Sequence, residues 1–177
     1  MRSILIGLLL SSSGLAALSP ASAQGLDPNF FHRMSTQFRG SDMSLDVFNG
    51  GPKDNMTHLA RFQDVSGQYW KFSPTGNGSY RISSMFRGSG MCLDIFNGGP
   101  TNDEPHLVPC ADLSGQFWNI RWEGTWARLT TQFRGLDMCL DIFNGGEKDN
   151  QPHLAPCTNV SGQLWLLSRT DKRALVD

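Results

Sequence analysis

The sequence lacks a surplus of charge of either sign. Its 177 residues include 15 Lys and Arg against 16 Asp and Glu, which gives a formal net charge of −1 at pH 7. Capture of a nucleic-acid backbone or of an anionic membrane surface depends on clustered positive charge. We therefore expect no nucleic-acid partner and favour a neutral ligand.

Long apolar runs are also lacking, apart from a short one close to the N-terminus. Residues 4–10 are predominantly apolar, follow Arg2, and lead through a Ser- and Ala-rich stretch to Ala21, Ser22 and Ala23. This order is typical of a secretory signal peptide, and we expect cleavage near Ala23. The run is too short to cross a bilayer. The sequence thus predicts a secreted or periplasmic protein without a membrane span.

Cysteine is scarce, and its distribution is uneven. The four cysteines form two pairs with the same spacing of 18 positions, namely Cys92 with Cys110 and Cys139 with Cys157. In a related earlier segment, both positions of the pair are changed together, to Ser44 and Phe62. Joint loss is expected of bonded cysteines, and disulfides persist in exported proteins. We predict two disulfides, with free buried thiols as the alternative.

One segment occurs three times. MCLDIFNGGPTNDEPHLVPC at 91–110 returns as MCLDIFNGGEKDNQPHLAPC at 138–157, and an earlier version, MSLDVFNGGPKDNMTHLARF, stands at 43–62. A Gln-x-Trp motif follows each copy in the same register, and we expect its Trp in the core: Trp70, Trp118 and Trp165. From this spacing we divide the chain into a signal peptide (1–23), a lead-in (24–32) and one domain (33–177) with repeats 33–80, 81–127 and 128–173.

Helical periodicity is lacking after the signal peptide. Each repeat instead contains short runs that alternate apolar and polar positions, separated by clusters of Gly, Asn, Asp and Pro, which is typical of about four short strands. One copy cannot bury its apolar face alone, whereas three copies around an axis share a core. The sequence therefore predicts an all-β protein, a β-trefoil of twelve short strands in three pseudo-symmetric repeats. A three-bladed propeller is the less favoured alternative.

The segments on either side of each Asn-Gly-Gly turn form a predicted hairpin. Alternation places the Asp and Phe of Leu-Asp-x-Phe on the face away from the core. We expect Cys92 to lie opposite Cys110 and to fix the register. Antiparallel counting then pairs Asp94 with Val108 and Phe96 with His106 in the second copy, Asp141 with Ala155 and Phe143 with His153 in the third, and Asp46 with Ala60 and Phe48 with His58 in the first. The Asp, His and Phe of each outer face are the candidate functional residues.

The order Cys-Leu-Asp-Ile, turn, His-Leu-x-Pro-Cys and Gln-x-Trp, repeated over about residues 33–168, resembles the ricin B-type lectin family. The resemblance implies a β-trefoil that binds a carbohydrate or glycoconjugate, commonly galactose-type or xylose-type, with one shallow site per repeat. It further implies that sugar contacts come from the matching Asp, Gln and His positions, which are Asp46, Asp94, Asp141, Gln68, Gln116, Gln163, His58, His106 and His153. A carboxylate suits this role because it accepts hydrogen bonds from two adjacent hydroxyls.

Two positions differ from the family pattern. Members commonly place an aromatic residue opposite the Asp, whereas the predicted pairing places Ala60, Val108 or Ala155 there. The residue before the Gln is often Asn in sugar-binding members and is glycine in every copy here: Gly67, Gly115 and Gly162. We hypothesise that Phe48, Phe96 and Phe143 supply the stacking surface from the other strand.

Signatures of catalysis and of metal binding are lacking as well. No Gly-x-Ser-x-Gly motif occurs, and no two carboxylates stand in the fixed relation that a glycosidase needs. The three repeated His residues are related by a three-fold axis on an outer face, so they do not converge as metal ligands. We predict a protein without catalytic residues, metal or cofactor.

For several repeated polar residues, the sequence also allows a purely structural role in place of a sugar contact. Each Asp is able to accept backbone N–H groups, and each Gln is able to tie strands together. The Arg of each Phe-Arg-Gly motif is expected to form a surface clamp, to be solvated at a strand end, or to form a salt bridge with an Asp: Arg39, Arg87 and Arg134. For the whole protein, the alternative to a multivalent lectin is a β-trefoil that has lost sugar binding and serves as a protein-interaction or inhibitor module for an unidentified protein partner.

Overall fold

The computed structural model describes residues 26–174, so the predicted signal peptide and its cleavage near Ala23 lie outside the described residues. The described chain forms twelve strands: β1 Phe30–Thr36, β2 Met43–Val47, β3 Thr57–Arg61, β4 Trp70–Pro74, β5 Tyr80–Ser84, β6 Met91–Ile95, β7 Pro105–Pro109, β8 Trp118–Glu123, β9 Trp126–Thr131, β10 Gly135–Ile142, β11 Pro152–Pro156 and β12 Trp165–Arg173. Short 3-10 turns lie at Gly51–Lys53, Ser66–Gln68, Ser114–Gln116 and Ser161–Gln163. Over this part of the chain, no helix is long and apolar enough to span a membrane.

Six of the strands close into an antiparallel barrel. The pairing order runs β12–β1–β4–β5–β8–β9 and returns from β9 to β12. The other six strands form three hairpins, β2–β3, β6–β7 and β10–β11, one for each repeat. Each repeat thus contributes four strands, and the architecture is the predicted β-trefoil.

The three hairpins bond to one another in a cycle. The second Leu of each hairpin donates its N–H to a carbonyl of a neighbouring hairpin, in the pairs Leu59 to Asn150 (2.7 Å), Leu107 to Asn55 (2.9 Å) and Leu154 to Asp103 (2.8 Å). The three accepting residues have a positive φ of 66 to 68°. Asn and Asp adopt this conformation more readily than other non-glycine residues. The Asn and Asp after each Asn-Gly-Gly turn therefore join one repeat to the next.

The Trp of each Gln-x-Trp motif lies in the core, as predicted. Trp70, Trp118 and Trp165 are completely buried. Each indole N–H donates to the carbonyl of the Leu that precedes the Asp of its repeat, at 2.9, 2.8 and 2.8 Å. A buried Trp with its N–H bonded adds apolar packing without leaving a polar group unpaired. The Trp therefore fixes the Asp-bearing strand against the barrel.

The hairpin register differs from the prediction by two residues. Cys92 pairs with Val108 rather than with Cys110. The disulfide runs diagonally, with a Cα–Cα distance of 4.9 Å, because β7 ends at Pro109, one residue before Cys110. The Asp of every repeat consequently lies opposite the His: Asp46 with His58, Asp94 with His106 and Asp141 with His153.

The backbone pairs that the sequence predicted from the disulfide are therefore wrong. They are Asp94 with Val108, Asp141 with Ala155, Asp46 with Ala60, Phe96 with His106, Phe143 with His153, and Phe48 with His58. Because the shift is even, every side chain keeps its predicted face of the hairpin. The Phe and His side chains also remain neighbours, since their rings are in contact in every repeat.

Both predicted disulfides are present, Cys92–Cys110 and Cys139–Cys157. The first strand begins earlier than the predicted domain boundary at residue 33. Phe30 pairs with Arg173 at the end of β12, so residues 30–32, which the sequence placed in a lead-in, belong to the barrel.

Candidate functional site

The Asp of each Leu-Asp pair is held by two hydrogen bonds from the protein. In the second repeat, Asp94 Oδ1 accepts the Ile95 N–H at 2.7 Å, and Oδ2 accepts the Gln116 side-chain amide at 3.0 Å. The same two bonds hold Asp46 and Asp141. The structural role that the sequence allowed for these Asp residues, acceptance of a backbone N–H, is thus observed. Each carboxylate oxygen has more than one acceptor direction and so keeps capacity for a ligand hydroxyl.

The Gln of each motif is buried behind its Asp and is engaged within the protein. Besides its bond to Asp94, Gln116 donates to the Pro109 carbonyl at 3.2 Å, and its side-chain carbonyl accepts the Ala111 N–H at 2.8 Å. The Gln residues of the other two repeats make the same three bonds. Both amide protons of each Gln are therefore used, and the Gln orients the carboxylate.

The glycine before each Gln is required by the position of the carboxylate. A Cβ atom at Gly115 would lie 2.1 Å from Asp94 Oδ1. At Gly67 and Gly162 the corresponding distances to the Asp of those repeats are 2.1 and 2.2 Å. A larger residue would displace the Asp side chain from its hydrogen bonds. The presence of Gly where the family often has Asn therefore has a steric reason in this chain.

A shallow depression opens beside the Asp in the second and third repeats. In the second repeat it measures 230 Å³, and its lining includes Asp94, Asn97, Leu113, Ser114 and Phe133. In the third it measures 270 Å³, and its lining includes the equivalent residues Asp141, Asn144, Val160, Ser161 and Phe38. By the repeat spacing, the same positions in the first repeat are Asp46, Asn49, Val65, Ser66 and Phe86. A carboxylate, an amide, a hydroxyl and an aromatic ring thus surround one small concavity.

An exposed aliphatic side chain recurs at each of these places. Leu113 is 53% exposed, Val160 43% and Val65 39%. A single exposed aliphatic residue is ordinary on a protein surface. Here an aliphatic side chain recurs at the same position of all three repeats and lies beside a carboxylate. Sites for small ligands combine apolar surface with a few placed polar groups in this way.

The aromatic ring of each depression comes from a neighbouring repeat. Phe133 lines the second-repeat depression although it belongs to the third Phe-Arg-Gly motif. The guanidinium of Arg134 stacks over that ring, 4.3 Å from its centroid, and donates to Asp103 at 2.5 Å. Sequence reasoning missed this Phe as a site residue, because it follows Asp94 by 39 positions and lies outside the hairpin. The signal that could have identified it is the recurrence of Phe-Arg-Gly in phase with the repeat.

The predicted salt bridge between each of these Arg residues and an Asp is confirmed. The pairs are Arg39 with Asp149, Arg87 with Asp54 and Arg134 with Asp103, each at 2.5 Å. Every pair joins two repeats. Arg39 and Arg87 also stack over their own Phe at 4.3 Å, so the clamp orients the ring in all three motifs.

The rings of the predicted Phe and His lie against one another in each hairpin, stacked in the first and third repeats and tilted by 42° in the second. Ring centroids are 3.8, 3.5 and 3.7 Å apart in the pairs Phe48–His58, Phe96–His106 and Phe143–His153. These residues are not among those that line the two depressions. Burial lowers the pKa of each of the three His residues, and the Asp opposite partly offsets the effect. Among residues 26–174, no three His, Cys, Asp or Glu side chains are grouped so that they could hold a metal ion.

Comparison with known proteins places the chain in a family. The family model of the ricin-type beta-trefoil lectin domain matches residues 78–176. The chain belongs to this family. The assignment confirms the resemblance found in the sequence and indicates a lectin-like domain. A search of curated protein sequences gives no match for this ricin-type chain.

Solved structures similar to this ricin-type domain confirm the fold. The ricin B-like lectin of Macrolepiota procera, solved in complex with lactose, is 20% identical with a TM-score of 0.63, over 83% of this chain and 100% of that one. The designed three-fold symmetric protein ThreeFoil is 20% identical with a TM-score of 0.63, over 78% and 97%. A mosquitocidal holotoxin is 12% identical with a TM-score of 0.70, over 82% of this chain but 18% of that longer one.

Proposed function

We propose that this protein is an exported, non-catalytic carbohydrate-binding module with up to three weak sites that act together on galactose-type or xylose-type glycans. The observation that carries the proposal is the recurrence of one depression, with the same set of side chains, around Asp94 and around Asp141. Membership of a lectin family supports it. Two disulfides support export, because such bonds persist in oxidising compartments.

Each side chain has a role in the proposed site. Asp94 accepts hydrogen bonds from adjacent sugar hydroxyls, while Gln116 holds the carboxylate in place. Phe133 and Leu113 contact the apolar face of the pyranose ring, and Asn97 at the edge offers both a donor and an acceptor. The sequence-based hypothesis instead takes the stacking surface from the hairpin Phe, which in this repeat is Phe96, with its ring against His106.

The size of the depressions makes each site weak. Their volumes of 230 and 270 Å³ lie below the roughly 300–1,000 Å³ of clefts that enclose a small ligand. Three such sites on one rigid domain raise the effective concentration of a second binding event on a clustered glycan. The proposal therefore expects far stronger binding to clustered sugars than to a monosaccharide.

A glycan array probed with oxidised protein of residues 24–177 tests the proposal. A variant in which Asp46, Asp94 and Asp141 are all replaced by Asn is expected to lose binding while circular dichroism shows an intact fold. A second variant replaces the exposed Val65, Leu113 and Val160 by Ser, which disturbs little packing because these side chains face solvent. The matched control is Leu136→Ser, since Leu136 is 68% exposed and is not among the residues that line the depressions.

The origin of the aromatic contact is tested on the same array. Phe133→Ala is expected to weaken the second site more than Phe96→Ala, because Phe133 lines the depression. If Phe96→Ala abolishes binding and Phe133→Ala does not, the hairpin Phe is the stacking residue and the assignment to Phe133 is wrong.

A protein-recognition module is the second candidate function. It is favoured by the bonds that already occupy both oxygens of each Asp within the domain. This candidate predicts no glycan signal from folded protein. It also predicts that a protein partner is released by the Val and Leu substitutions and retained by the Asp substitutions, whereas a lectin loses its sugar with the Asp substitutions.

A further inference from the structure

The disulfide of the second repeat anchors the chain segment that holds its Gln. Cys110 stands between Pro109 and Ala111. The Pro109 carbonyl accepts the Gln116 amide at 3.2 Å, and the Ala111 N–H donates to Gln116 Oε1 at 2.8 Å. The bond to Cys92 ties this segment to β6. Since Gln116 in turn bonds the site carboxylate, the disulfide supports the carboxylate through the Gln. The third repeat has the same arrangement.

The first repeat keeps this geometry without a disulfide. Phe62 stands where the other repeats have their second cysteine. Gln68 nevertheless donates to the Arg61 carbonyl at 3.0 Å and accepts the Gln63 N–H at 2.9 Å. Its amide also donates to Asp46 at 2.9 Å. These distances are close to those of the second repeat, so a different contact supports the segment around Phe62.

A guanidinium stacked on an aromatic ring takes the place of the disulfide. The Cζ atom of Arg33 lies 3.3 Å from the centroid of the Phe62 ring, well within the range of about 6 Å over which a cation is attracted to a ring face. Arg33 also donates to the Ser41 carbonyl, just before β2, at 2.8 Å. We call this contact the Arg33–Phe62 stack. It ties the segment after β3 to β1 and to the start of the hairpin.

The corresponding Arg residues of the other repeats bind backbone instead. Arg81 donates to the Ala111 carbonyl at 3.0 Å, and Arg128 donates to the Thr158 carbonyl at 2.7 Å. Both carbonyls belong to the residue directly after the second cysteine. Neither of these repeats has a ring at the cysteine position, so only Arg33 is able to stack there. The loss of the cysteine pair and the gain of an aromatic partner for the Arg therefore occur in the same repeat.

We propose that Arg33 and Phe62 are positioning residues of the first-repeat site, where their stack replaces the disulfide and holds Gln68 and Asp46 in place. The first site then keeps its carboxylate in position when the disulfides are removed, whereas the second and third sites depend on theirs. That the positioned carboxylate binds a sugar rests on the proposed function. The coupling of the stack to Gln68 does not.

Side-chain amide shifts of Gln68 and Gln116 in ¹⁵N-labelled residues 24–177 test the coupling without a ligand. Arg33→Gln and Phe62→Leu each remove one half of the stack, and both should move the Gln68 signals while the Gln116 signals stay unchanged. Phe62→Tyr keeps the ring and should keep the wild-type Gln68 signals. The double variant Cys92→Ser with Cys110→Ser should move the Gln116 signals alone. The backbone spectrum of each variant checks that it is folded.

The matched control is Arg169→Gln, which removes a guanidinium that lies 4.3 Å from the Phe30 ring centroid elsewhere on the barrel. It should leave the signals of both Gln residues unchanged. The proposal is overturned if Arg33→Gln and Phe62→Leu leave the Gln68 signals as in the wild type, or if Phe62→Tyr moves them as far as Phe62→Leu does. It is also overturned if the cysteine double variant moves the Gln68 signals as far as those of Gln116.

Titration with galactose links the stack to binding. At the amides beside Asp46, Arg33→Gln should weaken galactose binding by about two- to fivefold, as expected for loss of one exposed cation–π contact. Binding beside Asp94 should not change. Unchanged binding beside Asp46, although the Gln68 signals move, would overturn the positioning role. If galactose shifts no amide beside these Asp residues in the wild type while Arg33→Gln still moves the Gln68 signals, the proposed function fails and the coupling stands.

Discussion

Replacing Gly115 by Ala tests whether this glycine sets the position of the site carboxylate. The new Cβ would lie 2.1 Å from Asp94 Oδ1, far inside any tolerated contact. The carboxylate must then leave the place where it accepts hydrogen bonds from Ile95 and Gln116, at 2.7 and 3.0 Å. Hydrogen bonds to charged groups contribute about 1.5–3 kcal/mol each. Loss of one bond and weakening of the other lower the free energy of unfolding by about 2–3 kcal/mol.

Urea denaturation measures this loss against a matched substitution. Gly90→Ala is the control, because a Cβ at Gly90 meets nothing within 4 Å, and the general effect of Gly→Ala on the unfolded chain is common to both variants. In an Asp94→Ala background the obstructing atom is gone, so Gly115→Ala should cost less than about 0.5 kcal/mol. The reasoning is refuted if Gly115→Ala is no more destabilising than Gly90→Ala, or if its cost is the same with and without Asp94.

Three further predictions concern the disulfide, the histidines and the clamp. Replacing Cys92 and Cys110 together by Ser should lower the free energy of unfolding by about 3 kcal/mol in urea denaturation, and stability equal to the wild type would contradict this. Burial lowers the pKa of the three hairpin His residues, and of His32 in β1, from 6.5, so unfolding takes up protons, and the melting temperature should fall as the pH is lowered from about 7.5 to about 5.5. Replacing the three hairpin His by Gln should reduce this fall and leave the contribution of His32, and a rise on acidification would contradict the sign. Arg134→Gln should weaken ligand binding at Phe133 in an NMR titration while changing stability by about 1 kcal/mol or less, and unchanged binding would exclude a positioning role.

The fold was predictable because the same strand pattern and the same Gln-x-Trp motif occur in three repeats. Trp70 and its two equivalents occur in one register, and each is completely buried with its N–H on the same backbone carbonyl. A single amphipathic hairpin would have left the architecture open. Three copies that cannot bury their apolar faces separately require a shared core, and this requirement leads directly to twelve strands around an axis.

The hairpin register was not predictable from the disulfide. A disulfide needs its two Cα atoms within about 7 Å, which within a ladder favours directly opposite positions. Cys110, however, lies one residue beyond the end of β7 and still comes within 4.9 Å of Cys92 between Cα atoms. The bond therefore limits the register without fixing it. β7 ends at Pro109, which pairs with Met91, and the same register pairs Asp94 with His106. The predicted faces of the hairpin were still correct, because side chains change face only when the register shifts by an odd number of residues.

The candidate site was only half predictable, since each depression is shared between two repeats. The Asp was found from its own hairpin, but the ring beside it comes from the next Phe-Arg-Gly motif, and that motif is positioned by tertiary closure rather than by local sequence. The third repeat shows the consequence most clearly. Its Asp141 shares a depression with Phe38 from the opposite end of the domain. These two residues meet only when β1 pairs with β12 and closes the barrel, so this site forms together with the complete trefoil and not with its own repeat.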